Sequence, residues 1–127
     1  MNERPDETGP RSPLEVAKEL TEFWSPKVIA ELDEHYVKVA KLKGTLCWHA
    51  HDREDELFYV LSGRLRIELR DRTVELEPGE LFVVPKGVEH NPIADEECLV
   101  MLVERKSTRH TGEQLIEATR SIQEQLS

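Results

Sequence analysis

Cysteine is scarce: Cys47 and Cys98 are the only two in 127 residues, and they lie fifty-one positions apart. That spacing excludes a disulfide framework and a CxxC zinc knuckle, and it leaves two reduced, buried thiols as the expectation. Basic residues are also in deficit. Seventeen Lys and Arg stand against twenty-six Asp and Glu, for a net charge of −9 and a pI near 5.1. A phosphate backbone or an anionic lipid surface would repel such a chain, so neither nucleic acid nor membrane is expected as a partner. Long apolar runs are missing, and the leading stretch MNERPDETGPRSP has no hydrophobic core of a signal peptide. A cytoplasmic protein is the expectation.

At 14.7 kDa the chain is long enough for one domain with a real core. Residues 1–12 are polar and carry too little apolar surface to offset their ordering entropy, so they are expected to be a disordered tail. Residues 13–106 form the body and 107–127 a polar tail or helix, with Leu115, Ile116, Ala118, Ile122 and Leu126 supplying a weak helical stripe. Ser12, Pro13 and Glu15 match a capped helix start, and Leu14, Ala17, Leu20 and Phe23 or Trp24 continue at helical spacing. From residue 27 the period falls to two. Short apolar or alternating runs at 28–30, 36–40, 45–51, 57–61, 65–69, 74–76, 81–84 and 99–103 are separated by turn signals such as Ser62-Gly63 and Pro85-Lys86-Gly87. The fold class is therefore all-β, a sandwich or barrel. Arg64 to Arg70 alternates cleanly and predicts one wet face, whereas Leu57-Phe58-Tyr59-Val60-Leu61 is apolar on both faces and needs cover from a helix or a second subunit.

One constellation carries chemistry. His49 and His51 flank Ala50, Glu56 follows, and His90 lies far downstream. In an extended strand, side chains two apart share a face with Cα atoms about 6.5–7 Å apart, which suits chelation of one ion. Three imidazoles and a carboxylate, with no thiolate, are borderline to hard donors suited to Fe, Mn, Ni, Co or Zn in the divalent state. His35 in a polar turn and His110 in the polar tail are expected at the surface, and no second acid–base residue is evident inside the body. Glu54, Asp52 and Asp55 are rival acids, expected to form a solvated turn.

The residues that carry this constellation also carry a family resemblance. Gly44-Thr-Leu-Cys-Trp-His49-Ala-His51-Asp-Arg-Glu-Asp-Glu56, closed by Gly63, resembles the first cupin motif. Gly79, Pro85, Gly87 and His90 resemble the second, fifteen residues further on. The resemblance implies a double-stranded β-helix, or jelly-roll barrel, with short N- and C-terminal helices. It implies His49, His51, Glu56 and His90 as metal ligands, and it points to a homodimer. Two departures stand out: four residues instead of five separate Gly44 from His49, and Ala94 stands where an asparagine is frequent, with Asn91 next to His90 instead. The resulting expectation is one divalent transition-metal ion and a small-molecule ligand, anionic or chelating. Glu56 is the candidate catalytic carboxylate, Phe58, Val60, Phe82, Val84 and Met101 are candidates for the cavity wall, and Cys47 and Thr45 share the histidines' face. Oxygenation, isomerisation and lyase chemistry all suit such a site. A non-catalytic binding or sensor module is the alternative, and a storage protein would not need the ligands.

Overall fold

Alternating side chains dictate the architecture, because each strand must bury one face and can leave the other to a partner element or to solvent. The computed structural model describes residues 9–108 and 122–126. Its elements are α1 (Pro13–Lys18), β1 (Lys27–Leu32), β2 (His35–Thr45), β3 (Glu56–Ser62), β4 (Leu65–Leu69), β5 (Thr73–Leu76), β6 (Leu81–Val84), β7 (His90–Arg105) and α2 (Ile122–Leu126). All strand pairs are antiparallel. They run in the order β1-β2-β7-β3-β6, with β4 joining β5 to β7. The long strand β7 pairs with β2 along most of its length, with β4 through its first residues and with β3 through its last. That sharing closes the sheet around an interior made of Ala40, Leu42, Phe58, Val60, Leu65, Ile67, Val100 and Leu102. Leu65 and Ile67 are fully buried while Arg66 between them is not, which is the wet-faced alternation expected of that strand.

The helix begins where the sequence says it should: the Ser12 hydroxyl accepts the Glu15 N–H at 3.2 Å, and Pro13 occupies the first turn. It packs Ala17 against Ile29, Val39 and Leu99 on the outer face of the sheet, with Leu61 alongside, and so supplies part of the cover that β3 requires. It ends at Lys18, short of the expected stripe. Trp24 is not helical but left-handed, with φ 57°, fixed by its N–H to Lys41 O and its indole Nε1–H to Lys43 O, both 2.8 Å. Two bonds to the β2 backbone outcompete continuation of the helix.

Two further strand expectations change. The segment 45–51 is not a strand: β2 ends at Thr45, after a register shift near Gly44, and His49 is held by a single bridge to His90. β7 starts at His90 and not near Leu99, carrying Pro92 and the acidic stretch Asp95-Glu96-Glu97 that disguised it. Of the tail helix expected over 112–126, the last residues are helical as α2, while 112–121 lie outside the described residues, as do His110 and the first eight residues. Among the described residues no helix is long and apolar enough to cross a membrane.

Gly63, which closes the first motif, has a physical reason to be glycine. Its φ is +82°, and a Cβ there would lie 2.6 Å from the Glu97 carbonyl oxygen and 3.0 Å from Cys98 Cα, both backbone atoms of β7 that cannot swing away. Gly63→Ala is expected to destabilise the protein by at least about 2 kcal/mol. Urea unfolding tests this; an unchanged midpoint would show that the turn can relax.

Candidate metal centre

His49 and His90 are brought together by backbone before side chains are considered. Each N–H donates to the other's carbonyl at 2.9 Å, so the loop after β2 is pinned to the start of β7. The turn Pro85-Lys86-Gly87 clamps the same loop: Gly87 N–H donates to His51 O and Lys86 N–H to Asp55 Oδ1, both at 2.8 Å. Asp55, expected as a merely solvated acid, thus holds the loop in place, and Glu54 accepts from the Ser107 hydroxyl. Glu56 opens β3, on the face that continues with Phe58 and Val60 into the interior.

The four side chains converge. His49, His51, Glu56 and His90 are all buried, and each offers a ligand atom within 4.8 Å of the others. His51 Nε2 is 3.2 Å and His90 Nε2 3.4 Å from Glu56 Oε1. Two tautomers are dictated by neighbours. His49 Nδ1 faces the Cys47 carbonyl and His90 Nδ1 the Val88 carbonyl, each at 3.0 Å. A carbonyl only accepts, so both Nδ1 atoms carry the proton, and in the neutral ring each Nε2 is left as a bare lone pair. His90 Nε2 is buried with no hydrogen-bond partner among the described residues. A lone pair orphaned beside a carboxylate oxygen is a repulsive arrangement that a cation between them would relieve. The residues therefore fit a metal ion. At metal–ligand distances of about 2.0–2.2 Å, no two donors to one ion lie more than roughly 4.4 Å apart, so the group would draw in slightly to hold one.

Electrostatics set the ligands apart from one another. Burial, then the charge of His90, pushes His49 down to about 4, so it stays neutral and able to ligate at ordinary pH. Burial opposes ionisation of Glu56, but the hydrogen bond from His51 and the nearness of the imidazoles outweigh it and hold the carboxyl well below the usual range. His51 is likewise disfavoured as a cation by burial, yet the hydrogen bond and charge of Glu56 raise it overall.

A small cavity of about 30 Å³ reaches the group from the side of His49 and Glu56. Phe58 lines it as expected, but Val60, Phe82, Val84, Met101, Thr45 and Cys47 do not; Trp24, Leu42, Leu46 and Pro92 do. The cavity opens between β2 and the start of β7, away from β6, which is why the expected wall was misplaced. Leu42 shares the interior face of β2 and was readable by parity. Trp24 was not, because no pattern announces a left-handed tryptophan.

The interior also holds a pair that sequence reasoning missed. Lys38 Nζ lies 3.4 Å from Glu104 Oε1 with both side chains at most 1% exposed, and Glu104 sits directly across from Glu56 in the β3–β7 register. Contrary to expectation, then, ionisable groups other than the four ligands are enclosed in the barrel. The signal was Lys38 itself, on the same face as Ala40 and Leu42. Asn91 turns away from the centre and donates to Glu68 at 3.3 Å, while Ala94 is fully buried in the core. His35 is half-buried on β2, far in sequence from the ligands.

Comparison with known proteins agrees with this geometry. The Cupin domain family matches residues 36–104. The uncharacterized protein YdbB of Bacillus subtilis is 34% identical over 94 residues, covering 73% of this chain and 83% of that protein. A cupin-2 domain containing protein from Shewanella frigidimarina superposes with a TM-score of 0.73 at 41% identity, covering 76% of this chain and 94% of the other. A 3-hydroxyanthranilate 3,4-dioxygenase 2 of Aspergillus fumigatus is 23% identical over 91 residues, which cover 67% of this chain but only 47% of the relative. With the family matched across more than half its length, and with the barrel and the convergent His/His/Glu/His group on the page, the chain belongs to the cupins.

Proposed function

We propose that His49, His51, Glu56 and His90 bind one divalent transition-metal ion, of Fe, Mn, Ni, Co or Zn, and that the protein is an enzyme acting on a small anionic or chelating molecule. The observation that carries this reading is the orphaned His90 Nε2 beside Glu56, with its tautomer set by Val88 O. When bound, such an ion supplies Lewis acidity and open positions for oxygenation, isomerisation or lyase chemistry. The chain itself fixes the His49 and His90 imidazoles through backbone carbonyls, lines the approach with an apolar wall, and places the Glu56 carboxylate where it can hold a proton. The distant likeness to a relative named as a dioxygenase favours oxygenation among the three.

Metal analysis of protein purified without added metal, followed by oxygen uptake with the Fe(II)-loaded form, tests the proposal. Glu56→Gln separates catalysis from binding. In an enzyme the rate falls while ligand affinity persists, because an amide still ligates weakly but cannot shuttle a proton. In a non-catalytic binding or sensor cupin, only affinity shifts, most for anionic ligands.

The outer face of the sheet supports a homodimer. Register aligns Val37, Val103, Leu57 and Val83 in one row across β2, β7, β3 and β6, and Val39, Met101, Tyr59 and Leu81 in the next. Helix α1 covers one side of this surface, but Leu81 and Val83 remain 61% and 41% exposed. Two such faces packed together would remove them from water. Sedimentation at tens of micromolar is expected to give twice the 14.7 kDa chain mass, and Leu81→Lys with Val83→Lys is expected to return it to the monomer value.

A further inference from the structure

The wall of the cavity differs in character from its floor. Trp24, Leu42, Leu46, Phe58, Pro92 and Leu102 contribute carbon surface, and among the described residues the only ionisable side chains lining the cavity are His49 and Glu56, which belong to the proposed metal centre. The one polar atom of Trp24 is already committed, its Nε1–H being donated to Lys43 O. The buried Lys38 cation, which might have paired with a second anionic group, does not line the cavity and lies against Glu104. A molecule inside thus meets polar partners at one end only. Every hydroxyl or phosphate along its body would be stripped of water with nothing to replace it, which is the strongest form of rejection an apolar pocket has. The enclosed free space is only about 30 Å³, far below the roughly 300–1,000 Å³ usual for ligand sites, so bulk along the body of a ligand is penalised as well as polarity.

Resting on the metal reading above, we propose that the cavity selects a compact substrate with an apolar or aromatic body and a single anionic, metal-chelating end, and that Trp24 and Leu46 set this selectivity. Polyhydroxylated acids and sugar phosphates are excluded as substrates. Leu46 and Pro92 both line the cavity and are tied by Leu46 N–H to Pro92 O at 3.3 Å, so this part of the wall is held by the same strand that carries His90.

The test compares two bidentate chelators, catechol and gluconate, which differ in the polarity of the body. Calorimetry on Co(II)-loaded protein is expected to give catechol an affinity at least about tenfold above gluconate. Leu46→Asn is expected to narrow that ratio at least about threefold while Co(II) content stays unchanged. Equal or tighter binding of gluconate, or an unchanged ratio in Leu46→Asn, would overturn the proposal. A protein that takes up no Co(II) refutes the metal reading, and the wall is then tested alone with toluene on the metal-free protein. Methyl NMR shifts confined to Leu42, Leu46 and Leu102 support apolar selection, and their absence defeats it. Trp24→Phe, which keeps an aromatic wall but loses the bond to Lys43, checks that a folded variant retains the preference for catechol.

Discussion

Protein carrying both His49→Ala and His51→Ala is expected to lose metal affinity by at least about 100-fold relative to wild type. His90 and Glu56 alone offer two donors from different strands, and two donors do not define a coordination geometry. Metal content by mass spectrometry of dialysed protein is the measurement, and equal content in wild type and variant would end the metal reading. The same site makes binding acid-sensitive, since imidazoles ligate only when neutral. His49 in the folded protein is pushed from 6.5 down to about 4 by burial and then by His90. Its contribution to the stability of the metal-free fold is therefore whole above the unfolded value and is lost as pH falls from about 6.5 toward 4, at most about 3 kcal/mol. The metal-bound form should resist longer and then release the ion over the lower part of that window.

Breaking the buried Lys38–Glu104 pair is expected to cost about 3–5 kcal/mol, because either single change strands a charge where both partners are enclosed. Glu104→Ala and Lys38→Met should each lower the urea midpoint sharply. The double replacement Lys38→Met with Glu104→Leu should recover most or all of the loss, since two apolar side chains need no partner there. A single variant as stable as wild type would show that water reaches the pair. The pH profile supplies a second readout. Burial first, and then the charge of Glu56, pushes the Glu104 carboxyl up to about 7, with Lys38 only partly offsetting this. A carboxyl raised by folding contributes stability that is complete below its unfolded value near 4.5 and lost as pH climbs to about 7. Between those limits Glu104 and His49 act in opposite senses, so the metal-free protein should be most stable in mild acid. The double replacement should remove the decline on the alkaline side.

Much of this was readable from residues alone. The helix cap at Ser12 and the wet-faced strand around Ile67 follow from local spacing plus parity, and local spacing survives folding, whereas the four convergent ligands were legible through the motif resemblance, since His90 lies far downstream and the segment 45–51 is not a strand. What escaped was set by contacts distant in sequence. β7 begins at His90 because β4 pairs with it there, a fact no local pattern encodes when the strand carries Pro92 and three consecutive acids. Trp24 became cavity wall because β2 carbonyls at Lys41 and Lys43 captured its two N–H groups. Glu104 was concealed differently: a charged residue at the end of an apolar run reads as a strand terminus meeting water, and only its register opposite Glu56 and its proximity to Lys38 reveal it as interior.

The shared strand β7 also bears on how the chain is expected to fold. His49, His51 and Glu56 are close neighbours in sequence, but His90 is joined to them through a strand that pairs with three different partners. Closing so many non-local contacts is the slow part of assembling an antiparallel barrel. The fourth ligand is accordingly expected with the final closure, so a metal ion would not template the early chain the way it does in a zinc finger. A bound ion would tie the loop after β2 to the first residue of the last strand, and would lengthen the life of the closed form while adding little speed in reaching it.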